Sequence, residues 1–223
     1  MTNPTISSQL FHFTGVDKIR GSFKPDDEAF NTLISILKSR VLQLRPNTID
    51  LVLPKGVGII TNLKANASIA CLTETPIQFI HGHILKYGKF GIGFDVNWAL
   101  RNGGHNVIYC DRKAPNSYAY TISELGNTLY FNGMLAHDKT ATLSFFKLTF
   151  ITEDFEFRDE REWRFIQAPK IIGEIPSIEF FPEDLKTIVC PESFINQVKD
   201  SLKASGFDPD FIPTEKCLHE NCT

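Results

Sequence analysis

Apolar residues in this chain recur with two different periods, and the dominant period changes along its length. Leu10-Phe-His-Phe-Thr14 alternates apolar and polar side chains, which predicts a short strand. Asp26 and Asp27 stand where a helix cap is expected. Phe30, Leu33, Ile34 and Leu37 then recur at i, i+3, i+4 and i+7, predicting a helix to about Arg40 with one apolar face. Strand formers and glycines fill Ile49–Ile60, and another strand is expected near Ala67–Leu72. Thr73 or Thr75 with Pro76 opens a helix carrying Ile77, Ile80, Ile84 and Leu85, and Tyr87-Gly88 closes it. Gly91-Ile-Gly-Phe94 reads as a strand, Asp95 as the cap of a short helix ending at Gly103-Gly104, and Asn106–Cys110 as a strand. Residues 118–137 read as a helix weakened by Gly126 and Gly133.

Beyond His137 the pattern turns to strands. Leu143–Ile151, Trp163–Gln167, Ser177–Phe181 and Thr187–Cys190 are all rich in β-branched or aromatic residues. A last helix is expected over Glu192–Ala204, with Phe194, Ile195, Val198 and Leu202 inward and Gly206 as its stop, followed by a closing strand at Phe211–Thr214. Strands and helices do not alternate strictly, so the expected class is α+β with a mixed sheet and flanking helices. One domain is expected over residues 1–223, with a core at about 8–214 and a C-terminal tail at 215–223.

Composition narrows the function classes. A net charge of −3 and a pI near 6.1 leave no global basic field to recruit nucleic acid or an anionic membrane, although a local groove stays open. Nineteen Phe against two Met and two Trp predict a core built on phenylalanine. The first residues lack the basic and apolar regions of a signal peptide, and no window reaches the ~20 apolar residues of a membrane span. Five cysteines, an odd number in mostly apolar contexts, read as reduced thiols. A cytoplasmic location without membrane contact is therefore expected.

Several familiar signatures are absent. Lys55-Gly-Val-Gly58 and Gly91-Ile-Gly93 lack the third glycine of a dinucleotide fingerprint and the Lys-Ser/Thr of a P-loop, and no Gly-x-Ser-x-Gly occurs. His81 and His83, two residues apart on a helix, would point about 200° away from each other and cannot share one ion. Cys217-Leu-His-Glu-Asn-Cys222 offers three soft ligands in a stretch that reads as a frayed tail, so no metal is expected.

Two motifs hold more chemistry. On a strand, Glu160, Glu162 and Arg164 would share one face, with successive carboxylates ~7 Å apart at Cα. Such a pair can orient a hydroxyl and stabilise positive charge on a sugar ring, or it can simply pair with Arg158, Arg161 and Arg164 on a solvated sheet. His12 and Thr14 likewise share a face, either to hold a ribose or as ordinary residues of a strand. Both readings of each motif stand open at this level.

His12-Phe-Thr14, Cys71-Leu-Thr-Glu-Thr-Pro76, Tyr87-Gly-Lys-Phe-Gly-Ile-Gly-Phe94, Glu160-Arg-Glu-Trp-Arg164, Ile175-Pro and the segment Phe180–Pro191 succeed one another in an order that resembles the AbiGi-type abortive-infection proteins. The resemblance covers about residues 8–192. The wider layout is similar to the ADP-ribosyltransferase fold, including DarT-like enzymes, whose core is a mixed split β-sheet. That resemblance implies NAD as substrate, with His12 and Thr14 at a ribose and Tyr87 or Phe90 (alternatively Phe94) stacked on nicotinamide. It places Glu162 at the nicotinamide ribose and its oxocarbenium-like transition state, Glu160 near the acceptor, and Arg164 at a phosphate.

The function so implied is mono-ADP-ribosylation of a nucleic acid or a protein in a phage-defence or toxin–antitoxin system. The rival is a catalytically inactive binding module on the same fold that meets a partner toxin or a phage component, since AbiGi-type proteins are often the antitoxin. A third reading is a metal-dependent nucleic-acid enzyme using the carboxylates of Asp154–Glu162 and nearby histidines.

Overall fold

The computed structural model describes residues 7–17, 21–51, 63–111, 118–131, 147–148, 151–167, 175–203 and 205–219. The first elements are β1 (Gln9–Phe13), the short strands β2 (Val16–Asp17) and β3 (Ser22–Phe23), helix α1 (Asp26–Ser39), β4 (Val41–Gln43), β5 (Arg45–Leu51) and β6 (Leu63–Thr73). A 3-10 turn at Ile77–Phe79 leads into α2 (His81–Tyr87), β7 (Gly91–Asp95), α3 (Val96–Arg101), β8 (Gly104–Asn106), β9 (Ile108–Cys110) and α4 (Tyr118–Phe131). Then come β10 (Thr152–Asp154), a 3-10 turn at Phe155–Glu160, β11 (Glu162–Gln167), β12 (Ser177–Glu179) and a 3-10 turn at Pro182–Asp184. The last elements are β13 (Leu185–Cys190), α5 (Glu192–Leu202), β14 (Asp210–Pro213) and α6 (Thr214–His219). The class is α+β with a mixed sheet, as the pattern predicts. Among the described residues no helix is long and apolar enough to cross a membrane.

Two compact units are present. The first comprises Met1–Leu42, Cys71–Gly103 and Ser177–Thr223, and the second Gln43–Ala70 and Gly104–Pro176. In the first unit the strand order is β14-β13-β7-β1, with the end of β6 beside β1. Strand β7 runs antiparallel to both β1 and β13, whereas β14 runs parallel to β13 after the α5 crossover that a parallel pair requires.

The first unit's sheet depends on what β7 lacks. Phe11 and Phe13 of β1 face Gly93 and Gly91 of β7 in register. A Cβ at Gly93 would lie 2.8 Å from the Phe11 ring and 2.9 Å from Gln9 Oε1, and one at Gly91 would lie 3.1 Å from the Phe13 ring. Each glycine costs a strand roughly 0.5–1 kcal/mol, while burying a phenylalanine returns about 1.5–3 kcal/mol, so the exchange favours the ring. Ile80, Ile84, Val189 and Cys217 complete that cluster with Phe11. A second aromatic set includes Leu10's opposite residue Phe94, stacked on Trp98 at 4.4 Å and edge-on to Phe180 at 5.0 Å. Phe90 packs against Phe30 of α1 and Phe194 of α5. The core is thus rich in phenylalanine, as composition suggested.

In the second unit β5 pairs antiparallel with β6, from Arg45↔Ile69 to Leu51↔Leu63. Strand β11 neighbours β6 and pairs antiparallel with β8, Arg164 opposite His105. Strands β9 and β10 form a separate parallel pair that sets Glu153 opposite Tyr109.

Several local expectations change. Helix α1 starts after Pro25 with no side-chain cap; Asp26, Asp27 and Glu28 instead occupy its first turn, where negative charge favours the helix dipole. Asp95 does cap α3, accepting the Asn97 N–H at 2.7 Å. Pro76 to Gly88 holds a 3-10 turn and then α2 rather than one helix, and Asn106–Cys110 divides at Val107 into β8 and β9. Residues 147–148, expected in a strand, are helical, with the Ile151 N–H bonded to the Lys147 carbonyl at 3.0 Å. Apolar residues at 143, 145, 146, 148, 150 and 151 fit either period, so the pattern of Leu143–Ile151 does not separate strand from helix. Most of that run, residues 52–60 of Ile49–Ile60, and 132–137 lie outside the described residues. The expected tail begins as α6, with Cys217 only 1% exposed; Cys222 lies outside the described residues.

Two glycine substitutions should differ in sign. Gly93→Ala should destabilise the protein by about 1–3 kcal/mol in chemical denaturation, because the new methyl meets a packed ring and strand. Gly82→Ala on α2, with nothing within 4 Å of the new Cβ, should be neutral or stabilise by up to about 1 kcal/mol.

Candidate functional site

Strand β11 begins directly after Arg161, whose φ of 44° puts it in the left-handed region at a cost on the order of 1 kcal/mol. This bend separates the strand from Glu160, the last residue of the preceding 3-10 turn. Glu160 and Glu162 therefore do not form the expected i, i+2 pair on one strand face. The same spacing does unite Glu162 and Arg164, both on β11. Arg164 Nη2 donates to Glu162 Oε2 at 2.6 Å and to Glu153 Oε2 at 2.9 Å.

The three side chains are largely buried, at 11% exposure for Arg164 and Glu162 and 24% for Glu153. Charge-assisted bonds this short are the stronger kind, and two carboxylates on one guanidinium leave the trio with net negative charge. Tyr109 of β9 joins them, its hydroxyl accepting the Glu162 backbone N–H at 2.7 Å. Burial pushes the Tyr109 phenol up to about 12. The Glu162 N–H opposes this, the Glu162 and Glu160 charges add to it, and the Arg164 charge opposes it. The result is a fixed carboxylate beside a neutral phenol. Such a group can stabilise developing positive charge or anchor a cationic group of a partner.

Tyr109 and Glu153 are absent from the sequence-based expectation for the site. Neither carries a motif, and they meet the others through the parallel register of β9 with β10, which no local pattern announces.

The remaining predicted residues lie in the first unit. His12 is half-buried, and its Nδ1–H donates to the Cys71 carbonyl at 3.0 Å. The Thr14 hydroxyl donates to the Ala29 carbonyl at 3.0 Å, holding β1 to α1. Phe90 is fully buried, whereas Tyr87 is partly exposed and lies near-parallel to His83 and Phe13. His81 donates to the Cys217 carbonyl at 2.8 Å, while buried His83 bonds the Thr75 hydroxyl at 2.7 Å, so the two imidazoles serve different partners. Gly88, at φ 93°, lets the backbone after Tyr87 approach Gly15, where a Cβ would sit 2.7 Å from the Gly88 Cα. Packing thus accounts for each glycine of Tyr87-Gly-Lys-Phe-Gly-Ile-Gly-Phe94 and for both of its phenylalanines.

An α+β protein with an arginine–dicarboxylate cluster on a late strand is the class these observations define. Its family is shown by sequence: residues 57–188, more than half of the chain, match the family described as "Putative abortive phage resistance protein AbiGi, antitoxin". The chain belongs to the AbiGi family of abortive phage resistance proteins. The matched stretch takes in β7, Tyr109 and the whole Glu153–Arg164 segment, and it leaves out His12 and Thr14. No curated protein and no solved structure matches the chain.

Two measurements probe the cluster. Arg164→Leu, which strands two carboxylates, should cost about 3 kcal/mol in chemical denaturation, and adding Glu153→Gln should restore part of it. Tyr109 holds its proton more tightly folded than unfolded. Its stabilisation is therefore complete below about pH 10 and lost as pH rises through about 12. Denaturation midpoints should fall less across that window in Tyr109→Phe than in the parent.

Proposed function

We propose that this chain is the non-catalytic antitoxin of a phage-defence pair, a binding module that occupies and restrains a toxin protein. The observation that carries this reading is the engagement of Glu162. The carboxylate that a transferase would aim at the nicotinamide ribose is bound by Arg164 at 2.6 Å and shares that guanidinium with Glu153. The description of its family as an antitoxin supports the same reading.

A second reading, on an ADP-ribosyltransferase-like fold, is NAD-dependent ADP-ribosyl transfer to a nucleic acid or protein. Its specific support is the same fixed carboxylate, next to the neutral Tyr109 phenol that a sugar hydroxyl would meet.

The discriminating experiment uses purified parent and Glu162→Gln with labelled NAD, DNA, RNA and cell extract, alongside co-expression of each with the partner toxin. Under the proposal neither protein transfers label, NAD leaves the melting temperature unchanged, and both rescue growth. Label transfer by the parent that is lost in a folded Glu162→Gln variant would overturn it.

A further inference from the structure

The chain's formal charge is concentrated in one place. Between Glu153 and Arg164 stand six carboxylates and three guanidiniums, a net of −3 that equals the charge of the entire 223-residue chain. The remaining residues therefore carry equal numbers of acidic and basic side chains. Part of that segment is inward: Glu153, Glu162 and Arg164 form the buried trio. In the turn Phe155–Glu160, residues 155–159 are exposed and Glu160 is half-buried; the turn carries three carboxylates against one guanidinium, with Glu156 and Asp159 the exposed two.

The same turn exposes two large apolar side chains, Phe155 at 51% and Phe157 at 41%. They sit two residues apart, with exposed Glu156 between them and exposed Asp159 beyond. Arg158 does not neutralise the turn; its guanidinium lies over the Phe155 ring at 4.4 Å and reaches Asp159 only at 3.8 Å. Exposed aromatics are the side chains that most often dominate protein interfaces, and a local charge of one sign selects partners of the other.

We infer that the Phe155–Glu160 turn is the docking surface for the toxin, and that the toxin meets it with a basic groove floored by apolar side chains. This rests on the antitoxin reading above and names the chemistry of its partner. Phe155 and Phe157 meet the apolar floor, and the exposed carboxylates of Glu156 and Asp159 face the basic walls. A groove of that lining is also the kind that holds single-stranded nucleic acid, whose bases stack and whose phosphates are anionic.

The test measures binding of the purified toxin to the full chain, to Phe155→Ser/Phe157→Ser, to Glu156→Lys/Asp159→Lys, and to a control, Leu85→Ser, exposed in the first unit. Melting temperatures confirm that each variant is folded; the changed side chains are exposed, so little loss is expected. The expected result is that both turn variants weaken Kd by about tenfold or more while the control stays within about twofold. Parent binding should also weaken as salt rises, and this dependence should flatten in the charge-reversed variant. Parent-like binding by both turn variants would overturn the docking surface and leave the antitoxin reading intact. No binding or rescue by the parent would overturn the antitoxin reading itself. Light scattering of the chain alone covers the other occupant. Self-association abolished by Phe155→Ser/Phe157→Ser would assign the turn to a second copy, against the inference.

Discussion

Two phenylalanine rings laid across a strand without side chains govern the first unit. Phe11 and Phe13 occupy the space that residues 91 and 93 leave empty, so β1 and β7 approach as ring on backbone rather than side chain on side chain. This helps fix the register, because a slip by one residue would set Phe11 against Ile92 or Phe94 and Phe13 against Phe90 or Ile92. Neighbouring segments inherit that register. The Thr14 N–H meets the Phe90 carbonyl, Gly15 meets Gly88, and the Thr187 hydroxyl finds Gln9 Oε1 at 2.6 Å.

The second unit is organised by charge. A buried ion pair is weak evidence for net stability, since desolvation can consume what Coulomb attraction returns. The Arg164 trio is better read as a device that specifies geometry. Arg164 is held by carboxylates from two strands, and the Glu162 N–H is fixed by a phenol from a third. The neutral phenol suits the arrangement: a phenolate there would face carboxylates in a poorly solvated setting, which is why Tyr109 resists ionisation.

How much of this was legible in the sequence depends on whether a feature is local. The apolar face of α1, the Asp95 cap and the stop at Gly88 were readable because each is decided within a few residues. The family was readable too, because several short motifs occur in order. Glu160 was misplaced because the break at Arg161 needs a left-handed arginine, a conformation arginine does not prefer and composition cannot announce. Tyr109 and Glu153 were missed because their meeting with Arg164 is a matter of strand register between segments distant in sequence. The helical residues 147–148 fall in a run of leucines and phenylalanines whose spacing fits a strand as well as a helix.

The strand order of the first unit has a kinetic side. Phe11 pairs with Gly93, and Gly93 in turn with Thr187, so the central strand finds its two neighbours in opposite directions far along the chain. By contrast β13, α5 and β14 follow one another directly, a strand–helix–strand unit whose parallel pairing is local in sequence. Contacts of such high sequence separation slow folding, because the chain must close long loops before the contacts return any stabilisation. During synthesis β7 emerges long before β13, and its free edge, bare of side chains at two positions, is open to the wrong strand until then. The chain's most exposed moment is therefore its own translation, and the feature that packs best when complete is the one most vulnerable while it waits.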